Sequence, residues 1–472
     1  MKTQIVKLLA LLFAANLNLV NAQQTQILGN LISVTSNGVT DTASYGPILI
    51  NTNGNVVVSG NQKISSTQYD ATTAANAANG ALVWQQSFSS GNKAFTTANA
   101  RDNAGNIYVV GAVRTSTLNG LDFFVSKANT AGVQQWIRYY NGTNSTSDVA
   151  SAVAIDNTGN VYVTGASEGN TAALIDYATL KYNAAGVLQW VVRYNYGNYI
   201  DVPSSIAVVG SNVIVSGSSG TSYTAWDFTT VRYAVSNGAQ LSVNRQPSTG
   251  NQDKVFSMIT DLTGNVYVTG TTGGANPNVK TMKLDQNLNT VWVQQYDAYG
   301  YNDAGIGIAL DNSNNVLVTG VAYKSNGTRE LLVMKYSNAG VLQWKKGKQP
   351  VEPASSAEGI RIKTTTSNNI FVGGNYLKNG NQDVIMMMYD QNGKETFEKI
   401  YNGTSNLTDK FLDFTFDPNY IYVSARTYST ATLDQNITIK YQYKSFTQGV
   451  ATFTNGLKYE PKELIVEFNK KP

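Results

Sequence analysis

Gly159-Asn160-Val161-Tyr162-Val163-Thr164-Gly165 decides the architecture of this chain, because variants of that run return along its length. The residues that open it are Val56, Ile107, Val161, Val213, Val266, Val316, Ile370 and Ile421, at gaps of 51, 54, 52, 53, 50, 54 and 51 residues. A spacing this regular marks a repeat array, in which most residues serve as scaffold. Around each copy lie four runs with the period-2 alternation of half-buried strands. Strand A is rich in small residues, as in Ala150 to Ile155 or in Gly305, Gly307 and Ala309. It ends in Asp-x-x-Gly-Asn (Asp156 to Asn160, Asp261 to Asn265), which is hairpin turn chemistry leading into strand B, the Val-Tyr-Val run. Strand C carries a cation near its end, at Lys127, Lys181, Arg232, Lys283, Lys335 and Lys440. Strand D follows an Ala-Gly or Asn-Gly turn and usually bears Trp.

The polar residue opening C and the large apolar residue of D are 14 apart in Asp70/Trp84, Asp122/Trp136, Asp176/Trp190, Asp227/Leu241, Asn278/Trp292, Glu330/Trp344 and Asp383/Phe397. A one-residue slip would turn every side chain to the wrong face, so a packed sheet holds such a hairpin to one length. Four short antiparallel strands repeated radially predict an all-β, eight-bladed β-propeller, with seven blades as the alternative. Small residues suit strand A as the innermost, and the Trp of strand D is expected between blades. The eighth unit has no D strand after Lys440, but Ile32 lies 24 residues before Val56, as Phe397 lies 24 before Ile421. Leu28 to Thr35 is therefore expected to close the ring as the last blade's outer strand. The strand-C cations are expected to pair with carboxylates of neighbouring blades.

Asp176-Tyr177-Ala178-Thr179-Leu180-Lys181-Tyr182-Asn183-Ala184-Ala185-Gly186-Val187-Leu188-Gln189-Trp190, taken with the later Asp-x-x-Gly-Asn-x-Tyr-Val-x-Gly, resembles the bacterial β-propeller repeats called SBBP. The resemblance covers most of residues 23–446 and implies a propeller fold and export, with no agreed activity or catalytic residues. Ala75 in place of a strand-C cation and Ala425 in place of the closing Gly are departures from it.

Met1 to Ala22 combines Lys2 and Lys7, the apolar stretch Leu8 to Ala15 and the small-residue ending Val20-Asn21-Ala22, the pattern of a cleaved secretory signal. The apolar run is too short to span a bilayer, which takes about 20 residues. Cleavage takes the 34 basic residues to 32 against 30 acidic ones, which disfavours nucleic acid as a partner. The chain has no Cys, so disulfides cannot hold it together, and no His, which removes the commonest zinc ligand and every Ser-His-Asp arrangement. Charged residues are only 14% of the chain, and a surface of Asn, Thr, Ser and Tyr suits an extracellular, monomeric propeller meeting glycans or proteins. Residues 447–472 contain the alternating Glu463 to Phe468 and read either as a frayed end or as the start of a further domain.

Carboxylates recur where strand A begins, at Asp41, Asp148, Asp201, Asp253, Asp303, Glu358 and Asp409. Asp148, Asp201, Asp253, Asp303 and Asp409 are candidate ligands for calcium, a hard cation taking several oxygens, and no other cofactor is implied. The competing reading has each acid accepting backbone N–H groups of its own loop. The candidate ligand-binding residues are the tyrosines of two D-to-A loops (Tyr194, Tyr196 and Tyr199; Tyr296, Tyr299 and Tyr301) and Trp226 between them. Their rings join an apolar face to a polar tip, which suits carbohydrate or protein contacts. Alternatively, Trp226 plugs its blade and the tyrosines pack their own loops. The expected function is a secreted or cell-surface binding module. The alternatives are a carboxylate-pair glycosidase or lyase, which needs no His, and a non-catalytic propeller of a larger exported protein. Carboxylate-pair chemistry needs two acids close together outside the repeat register, and the sequence offers no such pair, since Glu168 and Glu352 are off-register but fall on different blades.

Overall fold

A computed structural model describes residues 46–442 apart from 66–67, 90–91, 116–119, 143–145, 170–174, 198, 223, 249–251, 350–354, 379, 404–406 and 430–432, together with the strand Leu31–Val34. The signal segment 1–22, Asp41, Glu352 and the segment 447–472 lie outside the described residues.

Strand A ends in a turn that its own Asp organises. Asp156 Oδ1 accepts the backbone N–H of Thr158 (2.9 Å) and of Asn160 (3.0 Å), and Oδ2 accepts Asn160 Nδ2 (2.8 Å) and the Tyr162 hydroxyl (2.9 Å). Gly159 supplies the left-handed backbone the turn requires, at φ 79°. The same Asp-to-Tyr bond joins Asp102 to Tyr108, Asp261 to Tyr267 and Asp417 to Tyr422. One carboxylate thus shapes the A–B hairpin and satisfies the phenol of a ring buried in strand B.

Strands then stack into eight four-stranded antiparallel sheets arranged as a propeller. Blade 3 shows the plan: Asp148–Ile155 (A), Val161–Glu168 (B), Ile175–Tyr182 (C) and Leu188–Tyr194 (D). The A strands of successive blades touch one another and so line the axis. Strand B is covered on both faces, and Ile107–Val113 of blade 2 is buried throughout, whereas the D strands of blades 2 and 3 open with two exposed residues. Strand A carries a bulge, for example between Ala150 and Ala152 opposite Gly165. A Cβ on Gly165 would come within 2.2 Å of the Val149 carbonyl, which is why the Val-Tyr-Val run closes on Gly.

Blades are joined by a repeated latch. The indole Nε1 of Trp84, Trp136, Trp190, Trp292 and Trp344 donates to the carbonyl of Thr130, Ala184, Val235, Asn338 and Gln391, each in the C–D turn of the following blade, at 3.0 to 3.2 Å. Each indole lies on that turn's glycine, so a Cβ on Gly132, Gly186, Gly238, Gly340 or Gly393 would meet the ring within 3.0 Å. The Trp of strand D therefore packs between blades, as its place in the repeat implies.

Two expectations need correction. The strand-C cations do not pair with a neighbouring blade's carboxylates. Lys127, Lys181, Arg232, Lys335 and Lys440 donate to backbone carbonyls of the following blade's C–D turn, at Ala184, Val235, Gln286, Gln391 and Ala78, and Lys283 donates to the side chain of Asn338 there. The acid bonded to Lys335 is Asp311 of its own blade, at 2.9 Å. The reason is geometric: Lys127, Lys181, Lys283 and Lys440 rest over their blade's strand-B Tyr, as Lys181 does 5.6 Å from the Tyr162 centroid, and from there they reach the C–D turn of the next blade. In blade 4, Leu241 is not the counterpart of Trp190. Lys181 faces Trp190, but Arg232 faces Ser242, because the C–D turn of blade 4 is longer and Leu241 points to solvent.

Blade 8 meets blade 1 through Lys440 and the Ala78 carbonyl (2.7 Å) and through Tyr422 packed on Ile48, Val56 and Val58. The backbone of Leu31–Val34 runs antiparallel beside Leu433–Gln442, with Ile32 opposite Thr438. That this strand holds the ring shut is a proposal, for which its removal is the test.

Candidate functional site

The D-to-A and B-to-C loops share the face opposite the latches, and two sets of acids meet there. Asp148 N–H donates to the Leu121 carbonyl at 2.6 Å, which sets Asp148 of blade 3 beside Asp122 of blade 2. The same bond runs from Asp253 to the Trp226 carbonyl (2.8 Å), beside Asp227, and from Asp303 to the Pro277 carbonyl (2.6 Å), beside Asn278. The first acid of strand A thus neighbours the polar residue that opens strand C of the preceding blade.

Five of the strand-A acids also hold loop backbone, whereas Glu358 bonds the side chains of Arg329 and Asn375. Asp148, Asp201, Asp303 and Asp409 accept the backbone N–H of Gly142, Tyr196, Ala298 and Gly403 at 2.6 to 2.8 Å, and Asp253 accepts Gly273 N–H at 2.8 Å. Burial pushes Asp201, Asp303 and Asp383 up to about 6, with a like charge adding to it in each case, chiefly Asp176, Asp297 and Asp409 respectively. Burial also raises Asp122, Asp148 and Asp409 above the usual carboxylate range. The turn acids on the other face behave oppositely. Asp102, Asp156, Asp261 and Asp311 are lowered, because bonds from Asn and Tyr or Lys neighbours outweigh their burial. No cluster of three or more acids able to hold a metal occurs among the described residues.

The candidate aromatics divide. Tyr194 is buried against Tyr177 (centroids 5.5 Å apart), and Trp226 is half-buried with its Nε1 inside the protein. Tyr199 and Tyr296 are half-buried. Tyr196, Tyr299 and Tyr301 are the open ones, at 40%, 48% and 41% exposure. The structure does not gather all seven into one patch. It spreads them over three successive blade junctions, each with a cation over the ring: Arg245 at 3.3 Å from the Tyr196 centroid, Lys254 at 5.5 Å from Trp226 and Lys324 at 5.1 Å from Tyr299. Tyr299 is further fixed by its hydroxyl bond to Glu330 (2.9 Å), and Tyr296 by Lys345 Nζ (2.6 Å). Sequence reasoning missed these cations, because each comes from a different strand or loop from its ring.

Glu168 accepts the Ser147 N–H at 3.1 Å and so acts on its own loop. Among the described residues no helix is long and apolar enough to cross a membrane.

The family model for SBBP, a β-propeller repeat, matches residues 135–170 and 239–276. The chain carries SBBP β-propeller repeats. Each match runs from strand D of one blade past strand B of the next, across the Asp-capped A–B turn. No curated protein sequence matches this chain. Among solved structures, it is similar to the quinohemoprotein alcohol dehydrogenase of Comamonas testosteroni, with 10% identity over 89% of this chain and 78% of that one and a TM-score of 0.53. It is also similar to the β-propeller domain of the trilobed protease of Pyrococcus furiosus (10% identity, 75% and 96% covered, TM-score 0.44). A third similar structure is a polysaccharide lyase, an ulvan lyase (12% identity, 88% and 95% covered, TM-score 0.45). At such identities the likeness concerns the fold, which serves unrelated proteins.

Proposed function

We propose that this protein is an exported binding module that holds a polysaccharide on the loop face of its propeller. The observation that carries the reading is the set of open tyrosines, Tyr196, Tyr299 and Tyr301, on D-to-A loops, with Tyr196 and Tyr299 backed by Arg245 and Lys324. A ring held in one orientation offers a flat apolar platform for a sugar face at little entropic cost, and the flanking Arg, Lys and Glu groups match its hydroxyls. The segment 1–22 supports export, and the absence of His and Cys from the sequence supports binding over most hydrolytic chemistry.

The test is a glycan array with the mature chain, followed by the triple variant Tyr196→Ala, Tyr299→Ala, Tyr301→Ala. A few central aromatics carry most of an interface's energy, so the variant is expected to lose at least about 2 kcal/mol, some thirtyfold in affinity, while melting as the parent does. No glycan bound, or glycan binding unchanged in the triple variant, overturns the reading. Binding of a protein alone would move the function to a protein-recognition surface.

A further inference from the structure

Paired acids recur at the blade junctions, but their neutralisation does not. At the junction of blades 4 and 5, Asp253 lies 2.8 Å from Lys280 Nζ and Asp227 is paired with Arg245. At the junction of blades 6 and 7, Glu330 and Glu358 are paired with Lys324 and Arg329, both at 2.9 Å. At the junction of blades 3 and 4, Arg193 forks onto Asp176 at 2.8 Å. Arg193 and Arg245 hold one register, facing Ala178 and Thr229, each two residues past the acid that opens strand C.

At two junctions hydrocarbon and phenol take that register. Tyr139 faces Phe124, two residues past Asp122, and Ile400 faces Ile385, two residues past Asp383. The place of Lys280, which neutralises the strand-A acid of its own blade, is taken beside Asp148 by Ala178 of blade 3, two residues past Asp176. The acids are nevertheless kept. Asp148 and Asp409 are 0% exposed and Asp122 and Asp383 are 4% exposed. Oδ1 of all four is buried without a hydrogen-bond partner. The matching loops Tyr140-Asn141-Gly142 and Tyr401-Asn402-Gly403 bring one N–H to the other oxygen of Asp148 and of Asp409, both at 2.6 Å. The Thr115 hydroxyl donates to Asp122 Oδ2 at 3.0 Å, the Ser167 and Thr427 hydroxyls donate to Asp148 and Asp409, Arg193 reaches Asp148 by way of Ser167 Oγ (2.6 Å), and Lys378 acts on Asp383 through its field. Oδ1 of Asp176 and Asp201 is likewise unpartnered, but there Arg193 supplies the charge. Two buried carboxylates with orphan oxygens and no bonded cation are costly unless something positive joins them.

We infer that each of these two junctions binds a calcium ion, one through Asp122 and Asp148 and the other through Asp383 and Asp409. The donors are oxygens alone, which select a hard cation over zinc or copper, and calcium accepts loop carbonyls and water in its remaining places. With two carboxylates per site the dissociation constants belong to the range of about 10⁻⁴ to 10⁻³ M found in extracellular modules. The inference does not depend on the polysaccharide reading.

Equilibrium dialysis of the full mature chain against calcium up to about 10 mM counts the sites. Two ions per chain are expected, with Asp148→Asn and Asp409→Asn each removing one. Tyr139→Arg and Ile400→Arg place a guanidinium in the register of Arg193 and keep every acid. Each is expected to remove one ion and to raise Tm in the presence of a chelator. Both positions are exposed, so these variants report even where an Asn variant fails to fold. No bound calcium, or two ions persisting in the double Arg variant, overturns the inference.

Discussion

The two faces of the propeller obey different rules. On the turn face the same latch recurs at five junctions, an indole, a carbonyl and a glycine in the next turn, with a cation beside them at four. On the loop face an acid pair recurs at several junctions while the register of Arg193 passes to Arg245, Tyr139 and Ile400. Repetition of a whole constellation marks what holds the ring. A fixed residue in changing company marks where the blades have been free to diverge, and the open tyrosines are found on that face.

The contrast can be broken from the turn side first. Removing Leu31–Val34 leaves Leu433–Gln442 as an unpaired edge, and it is expected to cost more stability than any single substitution and to add a second transition to the denaturant curve. An unchanged, single transition would show that blades 8 and 1 hold together without it. Next in size, Trp190→Ala empties an interblade site that is 8% exposed and is expected to destabilise by about 3 to 5 kcal/mol, read from urea midpoints. A cost under about 1 kcal/mol would deny the latch its role.

The smallest expected effect is on pH and sharpens the contrast between the faces. Asp201, Asp303 and Asp383 lie near 6 in the folded chain, above their unfolded value of 3.8, so the folded state binds protons that the unfolded chain releases. Their contribution to stability is complete below about pH 4 and is lost as pH rises through about 6. The lowered turn acids Asp102, Asp156, Asp261 and Asp311 act in the other sense, and their contribution is lost as pH falls below about 4. Without calcium, Tm should therefore be highest near pH 4, fall as pH rises through about 6 and level off above it. Asp383→Asn should flatten that fall. A maximum above pH 7 would contradict the loop-face assignment.

Much of the scaffold was readable from spacing, because turn chemistry and alternation act within one hairpin. The constant separation of Asp176 from Trp190 reflects a real register, since Lys181 faces Trp190 in the sheet. The same count misled at Leu241, where an extra turn residue shifts the register and a large apolar residue happens to fall at the expected place. The partners of the strand-C cations were not legible, because a carbonyl in another blade leaves no trace in side-chain pattern. Nor was the acid pair: Asp122 and Asp148 each appear in their own repeat column, and only the crossing of Asp148 N–H to the Leu121 carbonyl makes them neighbours.

The latch has a direction. Blades 2, 3, 5 and 6 each give a Trp and a cation to the next blade, and the last cation of the series, Lys440, reaches Ala78 at the start of the circle. A contact of this head-to-tail kind has no built-in end, unlike a two-fold contact that satisfies both partners at once. Duplicating one unit of the gene would thus add a blade already carrying the donor and the acceptor it needs, so the number of blades is open to change by copying and not by redesign.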